Sequence, residues 1–441
     1  MNSRCRLDMA RIGILCAWLA LPAIACAQTM RLHFINVGQG AATLVEFPCA
    51  AVLIDTGGET NDQFKSTDEL TKYLKSFFES RSDLHNTLAS LILTHPHIDH
   101  TRGVKTVLAK FRVQNGVTDG LTTGSGRAGQ NLLRKAATES IQSDDENEHM
   151  GYFEVTRDVL PARTGLTNNV IDPVRCEQQK IDPQITALWG GTKKAPANWK
   201  AAEFNNANNH SLAIRVDFGK SSFLVAGDLE DAGITDLLAK YKGTKKLQVD
   251  VYQVGHHGAK NATTDAYLKT LQPKMAVIQM GTPDRQLMWT AWAYGHPRKV
   301  AVDLLQEYVS GTRAKKSVQV ATAAKVFAPE SMAKGIYATG WDGALVLEAD
   351  TNGNWSVVDG GKLKPVAPAD DPVTPTAGLI NVNKATAEEL GALTGIGPGR
   401  AAKIVAYRKA HGPFATVDDL LNVPGIGNQL LDGIRDQVSV R

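Results

Sequence analysis

At 441 residues the chain exceeds one typical small domain and leaves room for two or three. Its hydrophobic share of 43% and charged share of 21% are those of an ordinary globular protein, not of a disordered or fibrous one. A formal net charge of +3 excludes bulk charge as an argument for any partner, so a nucleic-acid surface would have to be a local patch.

In chain order, Arg4, Arg6 and Arg11 precede the apolar stretch from Ile12 to Ala25, and Ala25-Cys26-Ala27 is a small-residue cleavage site. This pattern predicts a signal peptide over 1–27 and a secreted or periplasmic protein. A lipoprotein at Cys26 is the less favoured alternative, because Ala23 stands where such signals usually carry leucine. No later stretch is long and apolar enough to be read as a membrane span. Cleavage would leave Cys49 and Cys176, either paired in an oxidising compartment or as two thiols.

Leu32 to Val37 reads as a strand running into Gly38-Gln39-Gly40. A second strand, Ala51 to Ile54, ends at Asp55-Thr56-Gly57-Gly58, and helical periodicity follows from Leu70 to Phe78. The apolar run Leu91-Ile92-Leu93 then leads into His95-Pro96-His97-Ile98-Asp99-His100. Three imidazoles and a carboxylate in six positions are a ligand set suited to zinc and related divalent ions. From Phe111 to Asn208 the pattern is weak, with Gly124-Ser125-Gly126 and Asp144-Asp145-Glu146. It reads as loops and short helices over a cleft, or as a disordered insertion.

His210 precedes a hairpin, Leu212 to Phe218 and Ser222 to Ala226, joined at Gly219-Lys220 and closed by Asp228. Asp250 to Val254 runs into His256-His257, and Met275 to Met280 is a further strand. Candidate ligands thus recur at strand ends, where α/β folds gather their sites. Prolines 365, 368, 372 and 375 mark a linker over 360–378. The tail repeats itself at an offset of 30 residues, from Thr386, Glu389 and Gly395-Ile396-Gly397 to Thr416, Asp419 and Gly425-Ile426-Gly427. Each unit reads as capping box, short helix, glycine turn and second helix.

The order Asp55, His95-x-His97-x-Asp99-His100, Asp228, His256-His257-Gly258 resembles the metallo-β-lactamase fold. Val37-Gly38-Gln39-Gly40, His256-His257-Gly258 and Tyr294-Gly295-His296-Pro297 narrow the resemblance to the hydrolase domain of the ComEC/Rec2 competence proteins, over 29–359. The resemblance implies an α/β fold, an αββα sandwich, with two divalent metal ions, Zn²⁺ or Mn²⁺. His95 and His97 would hold one ion. Asp99, His100 and one of His256 and His257 would hold the other, with Asp228 bridging. Adjacent side chains on an extended chain point opposite ways, so only one of His256 and His257 is expected to bind. Asp55 would orient ligands from behind. His210 is either a further ligand or a loop histidine.

Paired ions of this kind serve phosphoryl chemistry, with Asp99 and His296 as catalytic candidates. His296 either meets the leaving group or phosphate, or merely caps a turn. The family usually carries aspartates where this chain has Asn36 and Ala41, both expected to border the cleft, which leaves the substrate open.

The tail, 379–441, resembles the tandem helix-hairpin-helix of the ComEA DNA receptor. Asn381-Val382-Asn383, Gly395-Ile396-Gly397-Pro398-Gly399, Tyr407-Arg408 and Gly412-Pro413-Phe414 carry the match. It implies a small all-α domain that grips DNA backbone phosphates without regard to sequence. Gly395, Ile396, Gly397, Gly425 and Gly427 would admit the backbone, and Arg400, Lys403 and Arg408 would add charge. Asp432 and Asp436 after the second turn keep open a module for protein contact.

The expected function is a secreted metal-dependent phosphodiesterase or nuclease in competence or extracellular DNA processing, with association to a DNA-uptake channel implied. The alternatives are a hydrolase of a small phosphodiester or other ester, and a non-enzymatic DNA-binding protein.

Overall fold

A computed structural model describes residues 29–440, apart from 144, 146–147, 177–180, 360–361, 366–379, 392, 394–395, 415, 428–429, 432–433 and 435–436. The signal segment, most of the linker, Gly395, Asp432 and Asp436 lie outside the described residues.

Alternation along the strands dictates the layers. In Ala51–Ile54, Val52 and Ile54 enter one apolar cluster while Ala51 and Leu53 enter another. A strand buried on both faces needs a cover on each side. Here one cover is a second sheet and the other is helical. The first sheet has nine strands, in the order Gly151–Glu154, Asn115–Thr118, Ser90–Ile92, Ala51–Ile54, Thr43–Glu46, Thr29–Phe34, Leu345–Asp350, Trp355–Asp359, Lys362–Pro365. The second has six: Gln184–Trp189, Ala213–Phe218, Ser221–Val225, Val251–Gln253, Met275–Ile278 and Ile336–Ala338. Their facing side chains, Phe34 and Val52 from one and Phe223 and Val251 from the other, share one core.

The helices lie outside. Ser66–Ser80 buries Leu70, Leu74, Phe77 and Phe78 at helical spacing against Leu53 of the first sheet. Each such side chain contributes about 1.5–3 kcal/mol of burial. Asp231–Tyr241, Asp265–Leu271 and Lys299–Tyr308 cover the second sheet through Ile234, Leu268 and Leu305. The result is an αββα sandwich.

Two expectations change. The weakly patterned region is not a set of loops. It supplies Asn115–Thr118, Gly151–Glu154 and Gln184–Trp189 to the sheets, and the helix Arg127–Ser140. Its strands are short and its helix buries only Gln130, Leu133 and Ala137, so apolar periodicity is faint. Cys176 from this region is disulfide-bonded to Cys49. The start of the expected linker, Lys362–Pro365, is instead the edge strand of the first sheet, a place that tolerates proline.

The C-terminal module has its own core, including Val382, Leu390, Ile404, Phe414, Leu420 and Ile434. Among the described residues its helices include Ala387–Gly391 and Gly397–His411, followed by the 3₁₀ turn Val417–Asn422. The repeated capping boxes form: Thr386 N donates to Glu389 Oε2 at 2.7 Å, and Thr416 N to Asp419 Oδ2 at 2.8 Å. The module is not purely helical, because Ile380–Asn381 pairs in parallel with Val438–Ser439 and joins its two ends. No helix among the described residues is long and apolar enough to cross a membrane.

Candidate metal centre

Ala51–Ile54 and Ser90–Ile92 are parallel neighbours, so Asp55 and Thr94 leave the sheet side by side. The Asp55 carboxylate turns back on that loop: Oδ1 accepts Thr94 N at 2.8 Å and Oδ2 accepts Thr94 Oγ1 at 2.8 Å. Oδ2 also lies 2.8 Å from His100 Nδ1. An ionised carboxylate can only accept, so Nδ1 carries a proton and Nε2 is the nitrogen that can offer a lone pair to an ion. That nitrogen faces Asp228 Oδ1 at 3.2 Å. His100 and Asp99 sit in the single turn Ile98–Thr101, pressed against the glycine loop after Asp55. A Cβ on Gly57 would fall 1.6 Å from Asp99 O, so only glycine permits that approach.

Asp228 arrives from the other sheet, just past Ser221–Val225. Gly227 makes the turn at φ 49°, and a Cβ there would sit 2.7 Å from Thr94 Oγ1. Two loops from two sheets therefore touch, and the Asp228 carboxylate lands among the histidines. Its Oδ2 lies 3.8 Å from His95 Nε2 and 3.7 Å from His257 Nε2. His257 Nδ1–H donates to Gln279 O at 2.7 Å, which turns its Nε2 toward Asp99 Oδ2 at 3.3 Å.

The outcome is two ligand sets that share one carboxylate. One is Asp99, His100, Asp228 and His257; the other is His95, His97 and Asp228. Within each set the donor atoms all lie within 4.8 Å of one another. Nε2 of His95, His100 and His257 are buried without a hydrogen-bond partner. Buried lone pairs left bare are costly, and a cation is what satisfies imidazole and carboxylate together. The donor set therefore fits divalent ions.

The electrostatics agree. Burial, then the neighbouring His100, keeps His95 far below its ordinary pKa and neutral. Burial also lowers His97. Burial works against the charge on Asp228, but His100, His257 and His256 outweigh it and hold the carboxyl well below its usual range. Asp99 is lowered likewise: burial opposes its charge, and His257 and His100 prevail. For His100 burial opposes a positive charge, yet Asp228 and Asp55 raise its basicity. Two anionic carboxylates thus stand ready to receive cations.

The centre floors a cleft of about 520 Å³. Gln39, Glu59, Arg102, Asn208, Trp289, Tyr294 and His296 line it with the ligands. His296 is buried, with Gln39 Nε2 3.1 Å from its Nδ1. If the amide donates, the proton of the neutral ring is on Nε2. Burial first, and then His257 and His256, keep it neutral.

Several candidates are placed elsewhere. His210 is not in the centre: its Nδ1 accepts Thr192 N at 3.1 Å and its Nε2 donates to Phe204 O at 2.7 Å. Both nitrogens are committed to backbone, and the ring lines a separate cavity with Asp119. His256 and His257 are not extended but both left-handed, at φ 47° and 54°, so the alternation argument does not apply. His256 is turned outward, its Nδ1 3.2 Å from Glu230 Oε1 and its Nε2 3.8 Å from Asp228. It stands outside both ligand sets.

Asn36 and Ala41 do not line the cleft. Asn36 Oδ1 accepts Gly38 N, and Ala41 is buried with its N–H on Asp99 O. Sequence reading passed over Glu59, which accepts Gln39 N at 2.9 Å and pairs with Arg285. A glutamate two residues past Gly57 carries no motif; only its burial betrays it.

In the C-terminal module Arg400 Nε donates to Gly425 O at 2.9 Å, and Lys403 stands beside the same turn. A Cβ on Gly397 or Gly427 would meet nothing within 4 Å, so this backbone is open to approach. Ile396 is buried in the module core and Gly425 turns at φ 99°. Arg408 differs from expectation. Its guanidinium donates to Val382 O and Ala385 O, so it ties the module together from within.

Residues 35–281 match the model of the metallo-beta-lactamase superfamily. The chain belongs to that superfamily. Its fold is one of metal-dependent hydrolases, and the matched span contains every residue of the two ligand sets. Residues 376–439 match the helix-hairpin-helix motif, a DNA-binding module. ComE operon protein 3 of Bacillus subtilis is 26% identical over 287 residues, 63% of this chain and 30% of that protein. Recombination protein 2 of Haemophilus influenzae is 27% identical over 297 residues, 67% of this chain and 29% of that protein. This superfamily member thus spans less than a third of either relative. ComE operon protein 1 of Bacillus subtilis is 41% identical over 63 residues, 14% of this chain and 31% of that protein.

Proposed function

We propose that the protein is a metal-dependent phosphodiesterase acting on DNA, exported from the cell and serving competence or the processing of external DNA. The observation that carries this reading is the Asp228 carboxylate shared by two ligand sets, in a chain that also has a helix-hairpin-helix module. Two divalent ions, Zn²⁺ or Mn²⁺, held there would supply a water acidic enough to attack at neutral pH and would offset charge on a phosphoryl oxygen. The chain's own residues do the rest. Asp228 spans both positions, Asp55 and Gln279 fix the tautomers of His100 and His257, and Arg102 faces an incoming phosphate. His296, neutral and with its proton on Nε2, donates a hydrogen bond to the phosphate or the leaving oxygen.

The C-terminal module holds the DNA backbone, and the segment between 365 and 380 keeps the held strand near the cleft. The leader pattern and the Cys49–Cys176 disulfide favour an oxidising compartment. Association with a DNA-uptake channel belongs to the same reading, through the resemblance to the competence proteins. A small-ester substrate has less support, since Asn36 and Ala41 lie away from the cleft lining.

The test is plasmid incubated with the full chain and Mn²⁺ or Zn²⁺, beside an Asp99→Ala, His100→Ala variant. Metal-dependent cleavage by wild type alone is expected. Intact plasmid and oligonucleotides under every metal would refute the proposal.

A further inference from the structure

The rim of the cleft carries side chains that metal chemistry does not use. Trp289 is 70% exposed and Tyr294 is 40% exposed, and both line the cleft. Tryptophan is a large apolar side chain that folding normally covers. Here the backbone works to keep it out. Trp289 sits at φ 65°, a conformation that costs a bulky residue about 1 kcal/mol or more.

The loop that presents it is pinned. The single Thr290 Oγ1 proton is shared between Arg285 O at 2.9 Å and Leu287 O at 2.7 Å. Arg285 pairs with the buried Glu59 and lies 4.2 Å over the Phe64 ring. Glu59 in turn holds the Gln39 turn beside the metal centre.

From the rim, rings lead inward. Trp289 and Tyr294 centroids are 6.3 Å apart with the planes inclined at 54°, and Tyr294 is stacked on His296 at 5.7 Å and 18°. His296 is 6.1 Å from the ligand His257. A molecule matched to this cleft would be anionic toward Arg102 and the ion positions, and flat and aromatic at the rim. A nucleotide has both features, and the same chain carries a DNA-binding module.

We propose that the exposed Trp289 ring stacks on an unpaired nucleobase next to the phosphate being cut, with the inclined Tyr294 ring as the inner wall of that platform, so that the substrate is a single strand or frayed end. This rests on the phosphodiesterase reading and adds the strand form. In a duplex the faces of the bases are covered by their neighbours; only an unpaired base can offer one to a protein ring.

Two measurements on the full chain test it. The first is binding of thymidine 5′-monophosphate against 2-deoxyribose 5-phosphate. The base should strengthen binding about 5- to 150-fold, the span of base–aromatic stacking. That ratio should collapse toward one in Trp289→Ala and return in Trp289→Phe. The second is kcat/KM, with Mn²⁺, for a thymidine decamer, the same decamer with abasic sugars, and a hairpin duplex. The decamer should lead both by a similar factor.

A ratio near one in wild type, a ratio that survives Trp289→Ala, or a duplex cut as fast as the single strand would each overturn the platform. Cleavage of none of the three would strike the phosphodiesterase reading, while the nucleotide-binding ratio would still decide the platform. Because Trp289 is exposed, its replacement leaves the core untouched, which near-ultraviolet circular dichroism will verify.

Discussion

Asp55→Asn separates orientation of the metal ligands from stability of the fold. The native carboxylate accepts from Thr94 N and Thr94 Oγ1 and, through Oδ2, from His100 Nδ1. An asparagine of the same shape keeps its Oδ1 on Thr94 N. Its Nδ2 then faces Thr94 Oγ1, which can turn to accept, and His100 Nδ1, which can accept only if it gives up its proton. The imidazole proton moves to Nε2, the atom that faces Asp228 at 3.2 Å. His100 then has no lone pair for an ion. Loss of such a partner costs about 10- to 100-fold in metal affinity, or roughly 1.4–2.7 kcal/mol.

Folding suffers less, because Thr94 N and the imidazole N–H keep acceptors and only the Thr94 hydroxyl proton loses one: about 1–2 kcal/mol. Asp55→Ala differs, since it leaves three buried donors unpaired, at roughly 1–3 kcal/mol each before the site relaxes. The assay is titration of chelator-treated protein with Zn²⁺ and Mn²⁺, beside urea unfolding of the metal-free forms. If Asp55→Asn binds both ions as tightly as wild type, the tautomer argument is wrong. Equal destabilisation by Asn and Ala would refute the donor accounting.

Burial pushes Asp119 up to about 7, against hydrogen bonds from Gln130 and Leu121 N. The folded form thus keeps its proton in a range where the unfolded chain has lost it, so stability should fall as pH rises from about 4 to 7. The bound is about 4 kcal/mol, and Asp119→Asn should flatten the slope in urea unfolding; an unchanged slope would clear Asp119 of the effect. The Cys49–Cys176 bond closes a separation of 127 residues. Replacing both cysteines by serine should cost about 4–5 kcal/mol, and a loss under 1 kcal/mol in denaturant titrations would show a compact unfolded chain. Lys403→Ala should reduce the salt slope of DNA binding by about one with little change in stability, whereas Arg408→Ala should destabilise the module by about 1–3 kcal/mol. Equal destabilisation by the two would contradict the separation of their roles.

The patterned parts of the chain were legible because local physics writes them. The continuous apolar run Ala51–Ile54, the apolar spacing from Leu70 to Phe78 and the Thr386 and Thr416 capping boxes each depend on neighbours within a few residues. The ligand types were legible too, since metal chemistry demands imidazoles and carboxylates at loop ends whatever the fold. The polar region from Phe111 to Asn208 was not, because its short strands take their order from pairing partners far along the chain.

Sequence by itself determined the order of modules, the ligand inventory and the repeat. Only tertiary structure decided between His256 and His257, removed His210 from the centre, turned Arg408 inward and raised Trp289 at the cleft rim. Those choices depend on where a nitrogen lone pair or a ring points. That direction is set by a Gln279 carbonyl, a Thr192 amide or a Glu59 carboxylate brought from distant elements, so no local pattern could carry it.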